Sequence, residues 1–337
     1  MNNNNVLIIA EAGVNHNGDL NLALELVEAA ANAGADFVKF QTFKTASLTT
    51  NQADLASYQK TKMKGIGSQS ELLKSLELSD EMHFLIKSHC KKCNIGFLST
   101  AFDDESLTFL NSLNVPFFKV PSGEITNKPF LKKIASYQKP IILSSGASTL
   151  EEVRDALKIF ELSGLPSSFI TVLHCNSEYP SPYSDVNLNA MISLRDKLGI
   201  SVGYSDHTLG IEVPIAAVAL GAVVIEKHLT IDTRLVGPDH KASIEPDAFK
   251  LMVQAIRNIE KSMGDGIKQP SKSEIKNQML IRKSIVAKKD ICKGSVFSSE
   301  NITTKRPGDG LSPMKWDLVI GSVANRSYKI NEKIDLP

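Results

Sequence analysis

Residues 201–228 read SVGYSDHTLGIEVPIAAVALGAVVIEKH. A short apolar run at 201–204 ends on Ser205, Asp206 and His207. An apolar helical stretch follows at 211–220, and a second run at 223–226 ends on Glu226, Lys227 and His228. Strand, helix and strand in so short a span predict a βαβ unit of a parallel sheet. Outward from it the same rhythm recurs. Runs at 6–10, 37–40, 96–98, 117–120, 141–143 and 169–173 bring the strands to eight, and helical periodicity marks 21–33, 80–93, 149–162 and 246–262. Asp19 and Thr149 stand where N-caps belong, and Gly34 where a C-terminal glycine does. Eight β-α units in about 265 residues predict a (β/α)8 TIM barrel. A doubly wound open sheet is the alternative, but no G-x-G-x-x-G follows the first run.

Two stretches break the rhythm. Residues 44–75, rich in Lys, Thr, Ser and Gln, follow the second strand and are expected over the C-terminal mouth of the barrel. After 263 the composition changes. Residues 266–280 read as a linker, and 281–337, with short apolar runs and tight turns, as a small β-rich domain. So small a unit holds little core and is expected to dock on something.

The chain has 337 residues, enough for about two domains, and 42% hydrophobic residues exclude a disordered main state. Lys+Arg number 38 against 37 Asp+Glu, a net charge of +1, which argues against a nucleic-acid or anionic-membrane partner. The run at 6–10 is too short for a signal peptide, and the one at 215–225 is about half a membrane span. A cytoplasmic protein is expected. Cys90, Cys93, Cys175 and Cys292 are too few for a disulfide framework. The C-x-x-C at 90 and 93 lies in a helical stretch without a second pair and reads as structural.

Nearly every strand ends in polar residues: Glu11, Lys39 with Gln41, Ser99 with Thr100, Lys119 with Ser122 and Glu124, Ser144 with Ser145, His174, His207 and His228. Lys39/Gln41, Ser205/His207 and Glu226/His228 are i, i+2 pairs and share a strand face. Polar groups at barrel strand ends cost burial unless used or paired. His207 and His228, on sequential strands, form a candidate divalent metal site for Mn, Mg, Fe or Zn. Cys175 alternates away from that face and reads as structural. Lys39 and Lys119, with Ser122, Ser144 and Ser205 nearby, suit a phosphate or carboxylate guest. Either lysine could instead form a Schiff base, which predicts a depressed lysine pKa and no metal.

Several strings coincide: Ile9-Ala-Glu-Ala-Gly-Val-Asn-His-Asn-Gly18, Val38-Lys-Phe-Gln-Thr42, Ser122-Gly-Glu124, His174-Cys-Asn-Ser-Glu-Tyr-Pro180, Tyr204-Ser-Asp-His-Thr208, Glu226-Lys-His228, Gly237-Pro-Asp-His240 and Lys305-Arg-Pro-Gly308. Together they resemble the sialic acid synthase family, the phosphoenolpyruvate-condensing synthases of N-acetylneuraminate and related nonulosonic acids, over essentially the whole chain. The tail from about 281 resembles that family's antifreeze-like (SAF) domain.

The resemblance implies a domain-swapped homodimer in which Arg306 reaches the partner's amino-sugar site. It implies Mn or Mg on His207 and His228. Lys39 and Thr100 match residues at the phosphoenolpyruvate carboxylate, and Lys119, Ser122, Ser144 and Ser205 those at its phosphate. Glu11 matches a carboxylate near the reacting carbons. In the mechanism expected from this, the metal or Glu226 orients the water. Gln41, Glu124, Tyr179, Asp239 and Arg306 match positions around the sugar. Ala101 stands where the family often has proline, and Ser144-Ser-Gly-Ala147 where it often has Ser-Thr-Gly-Met. The implied activity is N-acetylneuraminate synthase, joining phosphoenolpyruvate to N-acetylmannosamine. The alternative acceptor is 2,4-diacetamido-2,4,6-trideoxymannose, giving N,N'-diacetyllegionaminate. Phosphorylated-sugar acceptors would need a third basic cluster, which the strand ends lack. A Schiff-base lyase and a non-catalytic sugar- or ice-binding protein are the readings from other classes. The second predicts a degraded barrel mouth.

Overall fold

The computed structural model describes residues 5–49 and 68–335. The chain divides into two units between Met263 and Gly264. In the first, eight strands alternate with helices: β1 Leu7–Gly13, β2 Phe37–Thr42, β3 Gly96–Ala101, β4 Phe118–Val120, β5 Ile141–Ser144, β6 Ile170–Cys175, β7 Ser201–Asp206 and β8 Val224–His228. Their order is β3-β2-β1-β8-β7-β6-β5-β4, the paired neighbours are all parallel, and β3 lies against β4 to close the sheet. The expected TIM barrel is observed, and the open-sheet alternative falls.

The helices follow the predicted periodicity. In α1 (Leu20–Ala33) the Asp19 side chain accepts from the Asn21 and Leu22 amides, and Gly34 closes the helix at φ 87°. Buried Ala23, Leu26, Val27 and Ala30 form its barrel-facing stripe. Thr149 and Glu152 make a capping box on the helix Leu150–Leu162. The strands overrun the apolar runs at their C-terminal ends, β1 to Gly13 and β8 to His228. The polar residues there stay in the ladder because their inward side chains find one another.

Two apolar layers result. Outward strand residues such as Ile8, Val38 and Tyr204 pack against the helices. Inward residues Ile9, Leu98, Phe117, Ile142, Leu173 and Val224 plug the barrel. Above that plug the inward row turns polar.

The 44–75 insertion is only partly described, since 50–67 lie outside the described residues. Its described ends form α2 (Thr45–Leu48) and α3 (Gln69–Leu76). Leu72 and Leu76 of α3 are buried with Val14 and Phe43.

In the second unit, the stretch read as a linker contains a helix, α4 (Lys272–Ile281), where Glu274 accepts from the Ser271 amide at 2.8 Å. All its side chains are at least partly exposed, so the turn chemistry at 264–270 outweighed its helical pattern in the sequence. β9 (Ser284–Ala287) and β10 (Ile302–Lys305) pair antiparallel over a core that includes Ile285, Phe297, Ile302 and Tyr328. Among the described residues no helix is long and apolar enough to cross a membrane.

Candidate active site

Strand alternation places Glu11, Lys39, Thr100, Lys119, Ser144, Cys175, Ser205, Glu226 and His228 on the inner wall, above the plug. A cavity of about 290 Å³ opens there, at the C-terminal ends of the strands. β1 bulges between Glu11 and Gly13. Gly13 has φ 54°, and a Cβ there would lie 3.3 Å from Glu11 Oε1 and 3.4 Å from the Gln41 amide nitrogen. A bulge at this point re-aims a side chain into the site.

The cavity floor is a buried four-charge array. Lys39 Nζ lies 2.6 Å from Glu11 Oε2 and 3.6 Å from Glu226 Oε2. Lys119 Nζ lies 3.8 Å from Glu226 Oε1. Hydroxyls complete the array: Lys39 donates to Thr100 Oγ1 at 3.0 Å, Lys119 to Ser144 Oγ at 2.6 Å, and Ser205 Oγ donates to Glu226 Oε1 at 2.8 Å. Despite the ion pairs, Glu11 Oε2 and Glu226 Oε2 lack a hydrogen-bond donor of acceptable geometry.

The two carboxyls are driven apart. Burial pushes Glu11 up to about 7, against the pull of Lys39. Burial would raise Glu226 too, but Lys119, then Lys39, and the Ser205 hydroxyl hold it at about 2. Lys39 is raised, because Glu11 and Glu226 outweigh its burial, whereas burial prevails at Lys119 and lowers it. Around pH 7 the floor therefore sets two lysines beside one firm carboxylate and one carboxyl near its midpoint, an arrangement suited to an anionic guest.

Beside the floor stand His207 and His228, with ring centroids 5.4 Å apart. Burial lowers His207 to about 4 and, with His207 adding to it, takes His228 well below its ordinary value. Both are neutral imidazoles at pH 7. His207 Nδ1 donates to the Asn176 carbonyl, which leaves the lone pair on Nε2. His228 Nδ1 is buried without a partner. Two neutral imidazoles with spare lone pairs fit a divalent metal. Among the described residues no group of three or more His, Cys, Asp or Glu could hold one, so further ligands would be water or substrate. The Tyr179 ring packs on His207 at 4.1 Å between centroids.

Gln41, Ser122, Tyr179 and Asp239 also line the cavity. Glu124 does not. The 3-10 turn Ser122–Glu124 breaks the strand alternation, and Glu124 instead accepts from Asn127 at 2.5 Å. Arg306 lies in the second unit, exposed, its Nε donating to the Ile281 carbonyl at 3.0 Å. His174 points outward and bonds the Val186 carbonyl.

Cys175, read as structural, faces the cavity, with Sγ 3.4 Å from Ser122 Oγ. Counting by twos from inward Leu173 finds it. The leucines of α3 also line the cavity, where the 44–75 insertion is expected, though the polar composition of that stretch gives no sign that its apolar residues would face it.

Residues 26–268 match the NeuB family and residues 282–334 the SAF domain. The chain is 54% identical to the N,N'-diacetyllegionaminic acid synthase of Campylobacter jejuni, over 97% of this chain and 98% of that one. It is 49% identical to the enzyme of the same name from Legionella pneumophila, over 94% and 89%. Among solved structures, the N-acetylneuraminic acid synthetase of Leptospira borgpetersenii in complex with citrate matches with a TM-score of 0.71 at 36% identity, over 81% and 90%.

Proposed function

This chain belongs to the NeuB family, and we propose that it condenses phosphoenolpyruvate with 2,4-diacetamido-2,4,6-trideoxymannose, releasing phosphate and N,N'-diacetyllegionaminate. A phosphoenolpyruvate-condensing nonulosonic acid synthase is the class its relatives share. The acceptor rests on one observation: both legionaminic acid synthases are far closer in sequence than the sialic acid synthetase. The N-acetylmannosamine expected from the motifs gives way on that ground. Mass spectrometry of the product formed from phosphoenolpyruvate and each sugar tests the choice.

The floor supports the chemistry. Lys39 and Lys119 sit where they can take the substrate's carboxylate and phosphate, with Thr100 and Ser144 fixing their ammonium groups. Bound there, the enolpyruvate turns C3 toward the sugar aldehyde, and bond formation leaves cationic character on C2. Glu226, held ionised, faces that charge and orients a water toward C2. Glu11, with its pKa near 7, takes the proton that this water loses, and that proton passes to the former aldehyde oxygen, which becomes a hydroxyl. Collapse breaks the C2–O bond, and phosphate leaves against Lys119 and Ser122. A divalent Mn or Mg held by His207 and His228 would supply Lewis-acid polarisation of the aldehyde oxygen. The Schiff-base alternative would place the low-pKa amine at Lys119, and borohydride trapping with pyruvate tests it.

We further propose a homodimer in which Arg306 serves the partner's site, on the strength of the SAF match and the exposure of Arg306. Light scattering, with turnover of Arg306→Ala, tests this. A cytoplasmic location fits a consumer of phosphoenolpyruvate, and cell fractionation checks it.

A further inference from the structure

The cavity mouth has two unlike sides. Lys119, Ser122, Ser144, Cys175 and Ser177 make the side above β4–β6 polar. Above β1–β3, beside Gln41 and over the floor residues, the same cavity has an apolar patch: Leu72, Leu73 and Leu76 of α3, with Val14 and Phe102. An apolar wall contributes nothing to holding phosphoenolpyruvate, which carries only anionic groups and a vinylidene carbon. It therefore faces the other substrate.

Three separate anchors fix this wall. Leu72 and Leu76 are buried against Val14 and Phe43. Glu77, just past the helix, accepts from both the amide and the hydroxyl of Thr45, at 3.1 and 3.0 Å. Gly18 packs so closely that a Cβ there would lie 2.5 Å from the Ser75 carbonyl oxygen. The side chains of this wall offer no polar partner to a hydroxyl pressed against them.

We infer that α3 selects the acceptor: Leu72, Leu73 and Leu76 form the surface against which the C6 methyl and the C4 acetamido methyl of the sugar pack. This rests on the condensing activity and the acceptor proposed above. The two candidate acceptors differ in chemistry at these positions. N-acetylmannosamine carries hydroxyls at C4 and C6, and burying one without a partner costs free energy, whereas a methyl gains from the contact. A hydrophobic surface rejects an added hydroxyl by about a hundredfold. The helix thus acts by apolar exclusion, without a polar contact to either carbon.

The test is the ratio of kcat/KM for the two acceptors, measured with phosphoenolpyruvate in excess. Leu73 is half-buried, so Leu73→Asn is the variant of choice, with Leu73→Gln as a second and Leu73→Met as the apolar control. The wild type is expected to favour the diacetamido-trideoxy sugar. Leu73→Asn and Leu73→Gln should lower that preference at least tenfold and leave the KM for phosphoenolpyruvate unchanged, whereas Leu73→Met should keep the wild-type preference. If the wild type shows the preference and both polar variants keep it at full activity, the role of α3 is overturned while the synthase stands. If the wild type favours N-acetylmannosamine or uses neither sugar, the acceptor reading fails and takes this inference with it.

Discussion

Strands β7 and β8 bury ionisable groups on both faces. Outward, Lys227 Nζ donates to Asp206 Oδ2 and to the Thr208 carbonyl, both at 2.5 Å, and Thr208 donates back to Asp206 at 2.9 and 3.1 Å. Lys227 and Asp206 are fully buried and joined only to their own surroundings. Inward, Ser205, His207, Glu226 and His228 are also nearly buried, but Glu226 Oε2 and His228 Nδ1 lack hydrogen-bond partners. The outer face keeps one loose end of its own, the Tyr204 hydroxyl. Burial of charge alone therefore does not mark a site. Unspent hydrogen-bonding capacity aimed into a cavity does.

This contrast predicts that inner substitutions cost catalysis beyond any loss of stability, whereas outer ones cost folding alone. Within the floor the largest effect is expected at Glu226→Gln, which should lower kcat/KM by about 10²–10⁴-fold, with a lower melting temperature as Lys119 and Lys39 lose a buried partner but the protein still folded at room temperature. Near-normal turnover would break the comparison from the inside. His207→Ala should abolish turnover and weaken Mn binding, read by calorimetry on the same folded protein.

On the outer face, Lys227→Met strands Asp206 as a buried charge and should destabilise the protein by about 3–5 kcal/mol in urea unfolding. Asp206→Leu combined with Lys227→Met should recover most of that loss. Kinetics of the double variant close to wild type would sharpen the division of labour.

A smaller effect concerns pH. The Glu11 carboxyl is raised from 4.5 to about 7 in the folded state, so the folded protein binds the extra proton between those values. Its contribution to stability is full below about 4.5 and is lost as pH rises through about 7. Chelated wild type should therefore lose stability across that window relative to Glu11→Gln. A parallel pH course for the two proteins would show that Glu11 is not raised. The smallest effect is the change of acceptor preference at Leu73.

Much of this was legible because strand chemistry has a period of two. The pairs 205/207 and 226/228 share the inner face, and Lys39, Thr100 and Lys119 join them. Legibility fails where the period fails. Glu124 sits in a 3-10 turn and leaves the row. Cys175 was misplaced by counting from its outward neighbour His174 instead of from inward Leu173. The α3 leucines lay in a stretch whose composition reads as a polar insertion, and only tertiary packing turns them to the cavity. Helix α4 was hidden by the glycines and proline around its start. The acceptor was out of reach because its contacts fall on loops and α3, where no strand period applies.

The most direct measurement is phosphate release from phosphoenolpyruvate by Mn-loaded protein, with the diacetamido-trideoxy sugar, with N-acetylmannosamine and with neither. Wild type should be run beside Glu226→Gln and the Asp206→Leu/Lys227→Met double variant. The account predicts sugar-dependent release by wild type and the double variant, greatest with the diacetamido sugar and lost on chelation, and almost none from Glu226→Gln. Release by Glu226→Gln at the wild-type rate, or none from wild type with either sugar, would contradict it.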